Sequence, residues 1–101
     1  MELNILERLM LLAALPTESD FVTFRILMDL KSQVSFSEEE IKDFDIKQNG
    51  GQVTWDAKKA KNKKFEFGEK AKDIIKSALK KLDETKKINE QNASLYEKFM
   101  T

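Results

Sequence analysis

The sequence predicts an α+β domain, with helices toward both ends and a small antiparallel sheet between them. Three observations predict it. Apolar residues recur at helical spacing in the first third and again after Gly68, and they switch to alternation on either side of Asn49-Gly50-Gly51. At 101 residues the chain fits one core and is short for two. A hydrophobic content of 41%, with seven Phe, separates it from disordered chains in spite of 36% charged residues. The expectation is therefore a single domain over residues 1 to 101.

Ile5, Leu6, Leu9, Met10, Leu12 and Ala13 recur every three or four residues until Pro16, which predicts a first helix over residues 2 to 15. Its apolar face is unusually wide. Either it is the central helix of the core or part of it is left for a partner. Thr17-Glu18-Ser19-Asp20 offers capping oxygens and N-terminal acids for a second helix through about Val34, with Phe21, Phe24, Leu27, Met28 and Leu30 turned inward. The short Leu15-Pro16-Thr17 joint favours a helical hairpin.

Phe36-Ser37-Glu38-Glu39-Glu40-Ile41 is the best local signature in the chain. Ser37 is placed to cap the N–H of Glu40, Glu40 to reach back, and Phe36 to staple onto Ile41, so a short third helix starts there. Phe44-Asp45-Ile46 and Val53-Thr54-Trp55 then alternate around Asn49-Gly50-Gly51, whose Asn-Gly step suits the positive φ angles of a tight hairpin. Phe44, Ile46, Val53 and Trp55 are expected on one sheet face, packed under a third strand, Phe65-Glu66-Phe67, and under a helix carrying Ile74 and Leu79. Residues 56 to 64 hold five lysines and no apolar side chain larger than Ala, and predict a mobile basic loop. After Gly68, Ala71, Ile74, Ile75, Ala78, Leu79 and Leu82 form the inner stripe of a helix over residues 69 to 84. Asn89 is placed to cap a last helix docked by Leu95, Tyr96 and Phe99.

Charge supplies the functional signal. The 18 basic and 18 acidic residues cancel, yet residues 1 to 56 sum to about −6 and residues 57 to 101 to about +6. With no His and no Cys, general-base and thiol chemistry lose their usual carriers, and no disulfide is available. Ser32, Ser35, Ser37 and Ser94 fall at helix ends or exposed faces, where capping or solvation accounts for them. The acidic run Glu38, Glu39, Glu40, Asp43, Asp45 fails as a calcium loop. Counted from Asp43 it has Lys47 where a ligand is needed and Gln48 where Gly is needed. Asn49-Gly50-Gly51 lacks the lysine and the strand-to-helix setting of a phosphate loop. No catalytic residue, metal or cofactor is predicted.

Surface complementarity remains. The candidate interaction residues are Lys58, Lys59, Lys61, Lys63 and Lys64 of the basic loop, Lys72, Lys76 and Lys80 along one flank of the long helix, and Glu38 and Glu39 on the acidic side. Helix, helix, short helix and hairpin is also a winged-helix-like order, which makes a non-specific nucleic-acid-binding accessory protein the alternative reading. Against base-specific readout, the short third helix opens on three glutamates, and the two arginines, Arg8 and Arg25, lie outside the basic half.

Leu12-Ala13-Ala14-Leu15-Pro16 running into Phe21-Val22-Thr23-Phe24, the Phe36 to Glu40 helix start with Val53-Thr54-Trp55 downstream, and the ending from Lys87-Ile88 to Leu95-Tyr96-Glu97-Lys98-Phe99 together resemble small accessory proteins of bacteriophages and prophages. The resemblance implies a mobile-element origin and protein-directed work. It carries over no functional residue. The expectation is a non-enzymatic protein-binding module that engages a host or virion protein or assembles with itself, with no small-molecule ligand. The longest apolar run, residues 9 to 15, is too short to span a bilayer, and Glu2 and Glu7 stand where a secretory leader carries positive charge. A cytoplasmic location follows as the expectation, in the host cell if the chain is phage-encoded.

Overall fold

The computed structural model describes residues Met1–Thr101 as five helices and four short strands: β1 (Glu2–Leu3), α1 (Ile5–Ala14), α2 (Phe21–Val34), α3 (Glu38–Asp43), β2 (Lys47–Asn49), β3 (Gln52–Thr54), β4 (Lys63–Lys64), α4 (Glu69–Glu84) and α5 (Ala93–Met100). The α+β class holds. The sheet does not form as expected: instead of a hairpin with a third strand, β1 pairs antiparallel with β4, and β2 pairs separately with β3.

Local chemistry sets the helix starts. Asn4 accepts the Glu7 N–H at 2.8 Å while Glu7 Oε1 accepts the Asn4 N–H at 2.9 Å, a capping box that begins α1 at Ile5 and frees Glu2 and Leu3 for strand pairing. Asp20 accepts the Thr23 N–H at 3.1 Å and starts α2. Ser37 and Glu40 form the expected reciprocal box of α3. The cap expected at Asn89 lies one turn ahead of the last helix. Its side chain accepts the N–H groups of Gln91 and Asn92, and Asn92 occupies the N-cap of α5.

Two helix ends explain where alternation misleads. Ile46 N–H bonds to Ile41 O at 2.9 Å and Asp45 N–H to Lys42 O at 3.3 Å, a Schellman closure with Asp45 at φ +53°. Residues 44 to 46 therefore end a helix, and the strand starts only at Lys47. The end of α4 repeats this geometry, with Lys87 N–H on Leu82 O, Lys86 N–H on Asp83 O, and Lys86 at φ +58°. In the hairpin, Asn49 pairs with Gln52, so the positive φ angles fall on Gly50 (+54°) and Gly51 (+87°) and not on Asn49.

One cluster forms the core: Leu3, Leu11, Leu15, Leu27, Leu30 and Val34 from the first half meet Phe65, Phe67, Ile75, Leu79, Leu95 and Phe99 from the second. Helices α1, α2, α4 and α5 pack on one another around it. The register Glu2↔Lys64 and Leu3↔Lys63 delivers the extended Phe65–Phe67 segment to the core, where the two rings stack at 5.5 Å and Phe67 meets Phe99 at 5.9 Å. Phe65 and Phe67 are thus core residues beyond the strand rather than a third strand of the hairpin. Phe21 and Met28, expected inside, are 74% and 43% exposed on the outer face of α2. Phe44 is buried outside this cluster, and Trp55 is only half-buried, so neither packs in the core with Leu79 as expected. No helix is long and apolar enough to cross a membrane.

Candidate protein-interaction surface

The basic segment divides into three parts. Asp56 Oδ1 accepts the Lys58 N–H at 2.9 Å, and Asp56 O accepts the Lys59 and Ala60 N–H groups at 3.0 Å, so the first lysines ride on a turn held by Asp56. Lys58 and Lys59 are exposed and form no ion pair. Lys61 borders a hollow beside Trp55. Lys63 and Lys64 lie in β4, not in a loop, and the Lys63 ammonium sits 5.4 Å from the Phe65 ring centre. On α4, Lys72 and Lys76 are interleaved with Glu69 and Asp73 around a shallow depression, and Lys80 approaches Glu84 at 4.0 Å. That flank is a mixed-charge surface, not a uniform basic stripe.

On the acidic side, Glu38 and Glu39 project from the first turn of α3, whereas Glu40 turns inward to Arg8. Arg8 is completely buried. Its Nη1 and Nη2 donate to the two Glu40 carboxylate oxygens at 2.6 and 3.1 Å, Nε donates to Val34 O at 3.1 Å, and Nη2 to Ser35 O at 2.8 Å. The guanidinium carbon lies 4.0 Å from the centre of the Phe36 ring, while Ile41, the expected staple partner of Phe36, stays 43% exposed. The Arg8 hydrogen bonds, with the Ser37 N–H and the charges of Arg8 and Lys63, outweigh burial and hold the Glu40 carboxyl down to about 2. One side chain thus fixes α1, the end of α2 and the start of α3 together.

Glu7 is the counterpart on the other side of α1. Burial alone pushes its carboxyl up, but the hydrogen bonds from Lys98, Asn4 and Ser94 leave it below the ordinary glutamate range. Lys98 Nζ donates to Glu7 Oε1 and to Glu2 O, both at 2.8 Å, and Ser94 Oγ donates to Glu7 Oε2 at 2.9 Å, which docks α5 on the N-terminal segment. These buried charges are structural ties. No group of three or more acidic side chains converges as a metal site.

An apolar groove lies against α1, whose wide apolar face the sequence leaves either for the core or for a partner. Leu6, Leu9 and Met10 of α1, the last also packed against the main cluster, face the hairpin residues Gly51 to Trp55 across an open groove of about 560 Å³ that Gln91 also lines. Beyond Trp55 a second hollow of about 250 Å³ is lined by Asn4, Ile5, Leu6, Ala57, Ala60 and Lys61. Trp55 and Leu6 line both. The wide apolar face of the first helix was the available sequence signal. Of the candidate residues, the structure joins only Lys61, with Lys58 and Lys59 on the adjoining turn, to this apolar surface.

Comparison with protein families, with characterised proteins and with solved structures finds no match in any of the three.

Proposed function

We propose that this chain is a non-enzymatic protein-binding module, an accessory factor of the phage-encoded kind its sequence resembles, and that it recognises a host or virion protein through the surface centred on Trp55. The observation that carries this reading is a half-buried tryptophan standing between two hollows, walled by apolar residues of α1 and edged by Lys61. An aromatic anchor in an apolar setting with a polar rim is the usual anatomy of an energetic centre in a protein interface. Arg8 and Glu7 support it by bracing α1, the helix that forms one wall.

The non-specific nucleic-acid reading has less support, since Lys72, Lys76 and Lys80 alternate with acids and α3 presents Glu38 and Glu39. Affinity capture from cells that carry the encoding element tests the choice. Wild-type protein is expected to retain a protein partner that Trp55→Ala and Leu9→Asp lose, and the reconstituted complex is expected to shift the fluorescence of Trp55, the single tryptophan. Submicromolar binding to DNA or RNA at about 0.15 M salt, where exposed charges are screened within about 8 Å, with a steep salt slope, overturns the proposal.

A further inference from the structure

We infer that the groove between α1 and β3 receives an extended, acidic-apolar segment of a partner protein, added as a strand along the outer edge of β3; this rests on the protein-binding reading and specifies its mode. The first argument is which part of the hairpin faces the groove. Side chains alternate along a strand, so a strand presenting one face would line a groove with every second residue. Here Gly51, Gln52, Val53, Thr54 and Trp55 all line it consecutively. The groove is therefore walled by the edge of the strand, where backbone groups are accessible.

The register says which groups those are. A two-residue turn closes on a hydrogen-bonded pair, here Asn49↔Gln52, so the next pair, Gln48↔Val53, is not hydrogen-bonded across the ladder. The N–H and C=O of Val53 point away from β2, and Trp55 lies just past the last paired residue, Thr54. Neither residue forms a backbone bond outside the ladder. The opposite edge is handled differently: the Ile46 N–H is taken by Ile41 O, and β2 carries Lys47. Edges are ordinarily protected by charge, Pro or a covering element, and Gln52, Val53 and Thr54 supply none of the first two.

Charge fixes the chemistry of the occupant. A strand laid along β3 past Trp55 runs toward the turn that carries Lys58 and Lys59 and the hollow bordered by Lys61. Apolar side chains on one face of the added strand would fill the groove against Leu6, Leu9 and Met10, and the next would enter the hollow beyond Trp55. Carboxylates at that end would meet the lysines.

The test uses the intact, isotope-labelled chain and an acetylated peptide that alternates valine and glutamate, followed by NMR. Amide shifts are expected to concentrate on residues 51 to 57 and on the Leu6 to Met10 side of α1. Methylating the peptide nitrogens that face β3 should weaken binding by about tenfold or more, since one or two backbone hydrogen bonds are lost. Lys58→Glu with Lys59→Glu and Lys61→Glu should weaken the glutamate peptide and strengthen a valine-lysine one by several-fold. No binding at millimolar peptide, equal binding of the methylated peptide, or equal binding of the lysine peptide to wild type each overturns the inference. So do shifts confined to Phe21, Val22 and Met28 on α2, although a partner that Trp55→Ala releases would still uphold the broader reading. Concentration-dependent broadening at β3 without peptide would place a second copy of the chain there and overturn it as well.

Discussion

Glu40→Gln tests the buried latch directly. It keeps the shape of the side chain and removes only its charge, leaving the guanidinium of Arg8, which is 0% exposed, without a counter-ion. The Glu40 carboxyl is held down from 4.5 to about 2, and at about 1.36 kcal/mol per unit this corresponds to roughly 3 kcal/mol of folding stability. The side chain is 18% exposed, so screening lowers that toward roughly 2 kcal/mol. Two charge-assisted bonds, at 2.6 and 3.1 Å, point to the same range when one is partly replaced by the amide oxygen. A carboxyl whose folded pKa is depressed contributes stability that is complete above the unfolded value and lost as pH falls through the folded one. The cost of Glu40→Gln should therefore be about 2 to 3 kcal/mol at pH 7, shrink between about pH 4.5 and 2, and vanish below that. Urea unfolding of both proteins across this range measures it, and a chain of this size should show a midpoint shift of about 2 M at pH 7. In an Arg8→Met background the same substitution should cost less than about 1 kcal/mol, because its partner is gone. A difference that stays constant down to pH 2, or that falls below about 1 kcal/mol at pH 7, would refute the argument.

Lys86→Gly should stabilise the protein by about 0.5 to 1 kcal/mol in thermal or urea unfolding, since Lys86 holds φ +58° at a Schellman position where glycine has no Cβ strain. Gly51→Val should act oppositely: φ +87° is strained for a β-branched residue, and loss of dispersion among the hairpin amide shifts, with α4 unperturbed, is the expected NMR signature. Trp55→Ala should cost about 1 to 2 kcal/mol, against about 3 to 5 for the buried Phe99→Ala, when both are compared by chemical denaturation. Changing Lys58, Lys59, Lys61, Lys63 and Lys64 together to Gln should leave nucleic-acid binding near physiological salt as negligible as in wild type, as read by fluorescence anisotropy.

Features encoded within a few residues were legible. The capping box of Ser37, the glycine turn and the inner stripe of α4 were read from sequence because each is decided by neighbours one to four positions apart. The β1–β4 pair was not, since two-residue strands paired across about 60 positions carry no periodicity of their own. Phe44-Asp45-Ile46 misled because αL closure at Asp45 involves no glycine, and without one the helix end looks like alternation. Phe21 and Met28 misled because a helical stripe counted from sequence has no fixed edge, and the packing of α2 on α1 and α4 placed that edge inside them. The candidate surface was legible in its charges and in the wide apolar face of the first helix, but not in how the two meet. Which lysines adjoin an apolar groove depends on how the hairpin sits against α1, and that is set by distant contacts.

The two explanations for the wide apolar face of α1 turn out to be parts of one arrangement. Leu11, with Leu15 just after the helix, enters the core, Leu6 and Leu9 line the groove beside the hairpin, and Met10 touches both. Between these sides, Glu7 and Arg8 point into separate buried networks, one reaching α5 and the other the α2–α3 junction. Adjacent residues on a helix lie about 100° apart, so a neighbouring acid and base can pin it in two directions. An apolar pair at these positions would bury area equally well but would leave the helix free to rotate toward whichever side offered more cover. Fixing α1 by two directional, charge-assisted ties instead keeps its second apolar side open in front of β3. An open apolar wall of this kind is otherwise hard to maintain in so small a core.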